Sequence, residues 1–146
     1  MNNLPFGKVQ EFGATATTAY TANNPLTVLT GSVSITAGRL YLVFGMLAVQ
    51  ASASGTANAL YVTVTGSITR TLWYDTTAIG TNLCTGVSGW TYITASDLSV
   101  TSGTSTKTFN LLWKSGAGGS LNTDPDNYVA AGSFQQRLMI ADIGST

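Results

Sequence analysis

The side chains with chemical reach in this chain fall into two small groups. Asn122, Asp124 and Asp126 stand at alternate positions of a turn-rich stretch, SGAGGSLNTDPDN. Carboxylates spaced this way can join a calcium site, but such a site wants about six to eight oxygen ligands, often at regular intervals. The glutamate that would close an EF-hand loop is missing, and Thr-Asp-Pro-Asp is equally a turn whose Asp side chains bond local amides. The second group is aromatic. Trp73, Tyr74, Trp90 and Tyr92 flank a glycine-bearing connection, Thr76 to Gly89. An exposed ring there can stack on a sugar face, while aromatics on strands are more often core. Trp113 alternates with Phe109 and Leu111, which makes it a core residue and the poorest platform of the set.

Acid–base and nucleophilic chemistry have little else to draw on. The chain has no histidine, a single cysteine (Cys84), and only 8% charged residues. Such chemistry near neutral pH leans on His, paired carboxylates, or an activated Cys or Lys. Ser and Thr are abundant, but no base stands in a recognisable arrangement to activate one. Asp75, Asp97 and Asp142 carry no specific glycosidase spacing. The lone Cys84 has no partner for a disulfide or a zinc site and reads as a small filler. The expectation is a structural or binding protein with no cofactor, not an enzyme.

Charge points the same way. Six basic and six acidic residues cancel, and Lys8, Arg39, Arg70, Lys107, Lys114 and Arg137 are dispersed. Nucleic acid and anionic membrane are therefore not expected partners, because both need a basic patch. A weakly charged, neutral chain has little self-repulsion to keep its copies apart. Self-assembly is the expectation. The first residues, MNNLPFGK, lack the basic and apolar regions of a secretory signal, and the most apolar stretch, Leu40 to Val49, is about half a membrane span. Synthesis in a cytoplasm is expected.

The elements that must position these residues are strands. With 24 threonines, 14 serines and 44% hydrophobic residues, the chain suits pleated, half-buried surfaces. Short apolar runs recur between Gly, Asn and Ser clusters, which is the pattern of an all-β sandwich or barrel. The runs are Val9–Phe12, Leu26–Leu29, Val33–Thr36, Leu40–Gln50, Ala59–Thr65, Ile68–Tyr74, Trp90–Ala95, Lys107–Trp113, Tyr128–Ala130 and Phe134–Ile143. Most alternate: Leu60, Val62 and Val64 oppose Tyr61, Thr63 and Thr65. Leu40 to Val49 does not. Leu40, Leu42, Phe44, Met46 and Ala48 occupy one face and Tyr41, Val43, Leu47 and Val49 the other, all apolar or aromatic. A strand covered on one side normally shows polar residues on its outer face. No amphipathic helix is available as a lid, so the second face is assigned to a neighbouring subunit in preference to another element of the same chain. The stretches 76–89 and 115–127 read as long rim loops. A single domain is expected over residues 14–146, preceded by a segment, 1–13, that is either an arm whose Leu4, Pro5, Phe6, Val9 and Phe12 would grip a neighbour or a terminal strand paired within its own sheet.

Two stretches carry a resemblance. One is Gly38-Arg39-Leu40-Tyr41, which runs through the long apolar strand into AVQASASGTANAL and YVTVT. The other is the strand Gln136-Arg137-Leu138-Met139-Ile140-Ala141-Asp142-Ile143-Gly144. Together they resemble small β-sandwich structural proteins of tailed bacteriophage virions, with Ala141 where an acidic residue is frequent and Ser145 where Pro is. The resemblance implies an antiparallel, jelly-roll-like sandwich assembling as a homotrimer on the virion surface. It implies a head decoration (cement) protein bound to the major capsid protein or another virion protein. The alternative is a tail-fibre or tail-tip module whose loops, with Trp73, Tyr74, Trp90 and Tyr92, contact a host glycan. Paired exposed aromatics beside a loop would favour the glycan reading, and a flat apolar base would favour decoration.

Overall fold

A computed structural model describes residues 9–14, 18–51, 57–66, 68–76, 84–121 and 136–146. Within them the chain forms ten strands: β1 (Val9–Ala14), β2 (Thr18–Tyr20), β3 (Leu26–Thr36), β4 (Arg39–Ala51), β5 (Asn58–Val64), β6 (Ile68–Asp75), β7 (Cys84–Thr94), β8 (Thr104–Lys114), β9 (Gly119–Leu121) and β10 (Gln136–Ser145). All pairings are antiparallel. Sheet A runs β1-β10-β4-β9-β2 with β7 on β4, and sheet B runs β3-β8-β5-β6. From β3 to β8, successive strands cross from one sheet to the other except at the β5–β6 hairpin. With β1-β10-β4-β7 facing β3-β8-β5-β6, this is the interleaved order of a jelly roll. The expected all-β antiparallel sandwich is the observed fold.

The alternation written in the sequence is what closes the core. Along β5 every second residue is buried, and Leu60, Val62 and Val64 meet Phe109, Leu111 and Trp113 from β8 and Val43, Leu47 and Val49 from β4 in one cluster. Trp113 is fully buried; Trp73 stacks on it at 6.2 Å, and Tyr20 meets it edge-on at 6.1 Å. The sheets touch at a bulge in β6, where Leu60 pairs with Trp73 and Tyr61 with Thr71, leaving Leu72 as the extra residue. Leu72 turns inward onto two glycines that face each other across β4 and β7, Gly45 and Gly89. A Cβ on Gly89 would lie 2.0 Å from the Leu72 carbonyl oxygen, so only glycine fits there.

Several boundaries differ from expectation. The runs at 26–29 and 33–36 are one strand, because Gly31 is not a turn: it lies inward, where the Phe12 ring occupies the place of a Cβ. β7 begins at Cys84, so the second half of the supposed 76–89 loop is strand. Likewise β9 lies within the supposed 115–127 loop, where Gly119–Leu121 pair with both β4 and β2. Of the expected arm, Val9 to Gly13 belong to β1 and pair with β10 of their own chain. Leu4, Pro5 and Phe6, the 122–126 acidic cluster and the run Tyr128–Ala130 lie outside the described residues.

Candidate functional site

The double apolar character of β4 resolves into two environments. Tyr41, Val43, Leu47 and Val49 are buried in the core, joined from the opposite phase by Ala48. Leu40, Leu42, Phe44 and Met46 are half-buried on the outer face of sheet A. Register extends that face across four strands. One cross-strand row is Val9–Ala141–Leu42–Tyr92, and the next is Glu11–Met139–Phe44–Trp90. Leu42, Phe44, Trp90, Tyr92 and Met139 enclose a shallow depression of about 410 Å³. The large apolar residues most open to solvent on this face are Trp90 at 57%, Tyr92 at 51% and Val9 at 46%. Among the described residues, charge enters this face at its rim, where Arg137 pairs with Glu11 of the neighbouring strand. Among the described residues, nothing lies over this face.

Trp90 and Tyr92 are therefore mid-strand residues and not loop flanks, and they point to the same side because they are two apart. Their rings meet edge-to-face, centroids 5.1 Å apart and planes at 65°. That geometry presents no flat double platform for a sugar, and Leu42, Phe44 and Met139 offer no hydrogen bonds to sugar hydroxyls. The other two aromatics are separated from them. Trp73 is half-buried against Trp113, and Tyr74, 58% exposed, sits on the outer side of sheet B. The bulge at Leu72 reverses the phase of β6 ahead of both, which turns Trp73 inward and Tyr74 outward. Val9, Met139 and Ala141 complete the face. Their signal was readable in β10, where Leu138 and Ile140 alternate with Met139 and Ala141, a second strand apolar on both sides.

The outer face of sheet B is built from the same pleat and is chemically opposite. Thr30, Ser32, Ser34 and Thr36 of β3 stand against Asn110, Thr108, Thr106 and Thr104 of β8. Thr30 Oγ1 donates to Asn110 Oδ1 at 2.9 Å, the hydroxyls of Ser32 and Thr108 lie 3.1 Å apart, and those of Thr36 and Thr104 3.2 Å apart. Asn110 Nδ2 donates on to Thr63 Oγ1 at 3.5 Å.

A second concavity, of about 310 Å³, opens between β1, β10 and β3, with Val33 and Ile140 among its apolar walls. Its main polar groups are already engaged. The Tyr41 hydroxyl oxygen accepts the Thr36 N–H at 2.8 Å. Asp142 accepts from Arg39 Nε at 3.1 and 3.0 Å, from Nη2 at 2.7 Å and from the Gly144 amide at 3.2 Å. Elsewhere, the Thr94 amide and then the Thr94 hydroxyl hold the Asp97 carboxyl below its usual range, with a smaller contribution from Arg70 at 3.7 Å.

No family model and no curated protein matches the sequence. Solved structures do match the fold. The VP2 subviral particle of infectious bursal disease virus superposes at a TM-score of 0.56, with 11% identity over 95% of this chain and 33% of that one. The Gt strain of the same virus gives 0.51 at 11% identity, over 97% of this chain and 39% of that one. Its T13 viral particle gives 0.50 at 10% identity, over 97% and 37%. The chain spans between a third and two fifths of the length of these proteins. At such identities the likeness is one of fold: a jelly-roll sandwich of a kind built into virus particles.

Proposed function

We propose that this chain is a structural component of a virion. The finer reading is a bacteriophage capsid decoration protein, a homotrimer held on the outer head surface by the major capsid protein or another virion protein. The observation that carries it is the shared fold, extending over 95% of this chain, with a protein of a viral particle. The phage-like stretches around Gly38–Tyr41 and Gln136–Gly144 add the finer reading. Such a protein works without chemistry. It binds the assembled shell and not the free subunits, and so stabilises the shell by mass action.

The exposure of Trp90 and Tyr92 gives the tail-fibre or tail-tip reading its one supporting observation, since a single open ring can stack on host glycan. Immunogold labelling of gradient-purified virions separates the two. Label over heads, together with heat resistance restored when the chain is added back to stripped shells, supports decoration. Label at the tail supports the alternative. A chain that does not co-purify with particles overturns the virion reading.

A further inference from the structure

We infer that the outer face of sheet A is the contact between copies of this chain, with Trp90 and Tyr92 as its anchors. The inference deepens the virion reading by naming the partner of one surface. Three observations select a second copy as occupant. The first is charge. The face has an apolar centre, and its rim charges, Arg137 and Glu11, already neutralise each other within one chain. A basic or acidic partner would find nothing to pair with. An uncharged copy of the same face leaves no charge unmet, and closed homo-oligomers bring like patches together about their axis.

The second is size. Four strands about 4.8 Å apart and the seven residues from Leu40 to Met46 give a footprint of about 440 Å² in plan, within the roughly 300–600 Å² of the largest patch on an ordinary monomer, a patch that is often functional. Trp90 and Tyr92 alone expose about 240 Å² between them, against the roughly 800 Å² that a standard interface takes from each partner. The third is the nature of the alternative surfaces. The other broad face of the chain, on sheet B, spends its hydroxyls on one another across β3, β8 and β5 and carries a single widely exposed ring, Tyr74 on β6, so it offers Trp90 and Tyr92 a smaller apolar counterpart than their own face does. Among the described residues, the surface that matches it best is the same face of another copy.

The test is sedimentation equilibrium of the full chain and of two variants. Trp90→Thr/Tyr92→Thr removes the anchors at exposed positions and keeps strand-forming residues. Tyr74→Thr removes an equally exposed ring from the sheet B side. Near-ultraviolet circular dichroism of dilute samples verifies that each variant folds. The expected result is a closed oligomer for the parent chain and for Tyr74→Thr, with association weakened about a hundredfold or more in the double variant. A parent chain that stays monomeric overturns the inference, as does an oligomer indifferent to the double substitution. A monomer that binds shells through Trp90 and Tyr92 also overturns it, by giving the face to the shell protein. Self-association through the face without any binding to particles would leave this inference standing and remove the virion reading instead.

Discussion

The two outer faces of the sandwich share antiparallel pairing and a period of two, yet one is polar and the other apolar. On sheet B, Thr30, Ser32 and Thr36 each find a partner on β8, and Asn110 reaches on to Thr63. Hydroxyls that bond one another and still face water need no cover. On sheet A the equivalent outward positions hold Leu42, Phe44, Met139, Trp90 and Tyr92. These gain nothing from water, and covering them recovers about 25 cal/mol for each Å² removed from solvent. The same backbone can therefore carry a polar, solvated wall on one side and an open apolar wall on the other. Which is which depends only on the residues at alternate positions.

The comparison breaks most severely where the sheets touch. Gly89→Val would place side-chain atoms where the Leu72 backbone lies, so β6 and β7 must separate. The expected loss is about 3 kcal/mol, or a melting midpoint lower by about 10 °C, read by thermal unfolding at a concentration too low for assembly. An unchanged midpoint would mean the Gly45–Gly89 seat for Leu72 is not what sets the spacing of the sheets.

A smaller loss is expected at the rim of sheet A. Asp142→Asn leaves Arg39 without its bidentate partner at a site where both side chains are largely buried, at 17% and 15% exposure. The expected outcome is a urea midpoint below the parent's by less than the loss at Gly89. Ser145, which also receives Arg39, is too long a contact at 3.4 Å to compensate.

Converting one face toward the other sharpens the contrast. Ser32→Val with Thr108→Val removes a directly opposed hydroxyl pair and leaves two β-branched side chains in cross-strand contact. Folding stability should stay within about 0.5 kcal/mol, because both partners are replaced together. Light scattering should nonetheless report new association through sheet B. A stable variant that remains as soluble as the parent would show that hydroxyls are not what keeps this wall bare.

The smallest effect is electrostatic. Asp97 has its folded-state pKa depressed by Thr94, so the stability it adds is present above the ordinary carboxylate range and is lost as pH falls through the depressed value. Since Asp97 is well exposed, the loss near pH 3 should be under about 0.5 kcal/mol. The difference in urea midpoint between the parent and Asp97→Asn should therefore shrink on acidification.

Much of this arrangement was legible from residue order. Alternation in β5 and β8 placed Val62, Val64 and Trp113 inward, and the doubly apolar run at Leu40–Val49 announced a second apolar face. What alternation could not carry was phase across irregularities. The Leu72 bulge shifts β6 by one residue, which sends Trp73 inward and Tyr74 outward although both looked alike beside a loop. Glycine misled twice, at Gly31 and between Gly86 and Gly89, because it can mark a close approach inside a strand as well as a turn. The face itself was only half visible. Its rows join β1, β10, β4 and β7, whose partners lie far apart in sequence, and pairing at that distance leaves no local signature.

Acrylamide quenching of Trp90 fluorescence, taken as the difference between the parent chain and Trp90→Phe over a dilution series, tests the central claim most directly. Trp113 is buried and Trp73 half-buried, so the difference isolates the ring on the outer face of sheet A. Trp90 is expected to be shielded from quencher at high concentration and to become accessible on dilution, at the concentration where the assembly dissociates. Equal quenching at every concentration would contradict it, because the ring would then face water in every state of the chain.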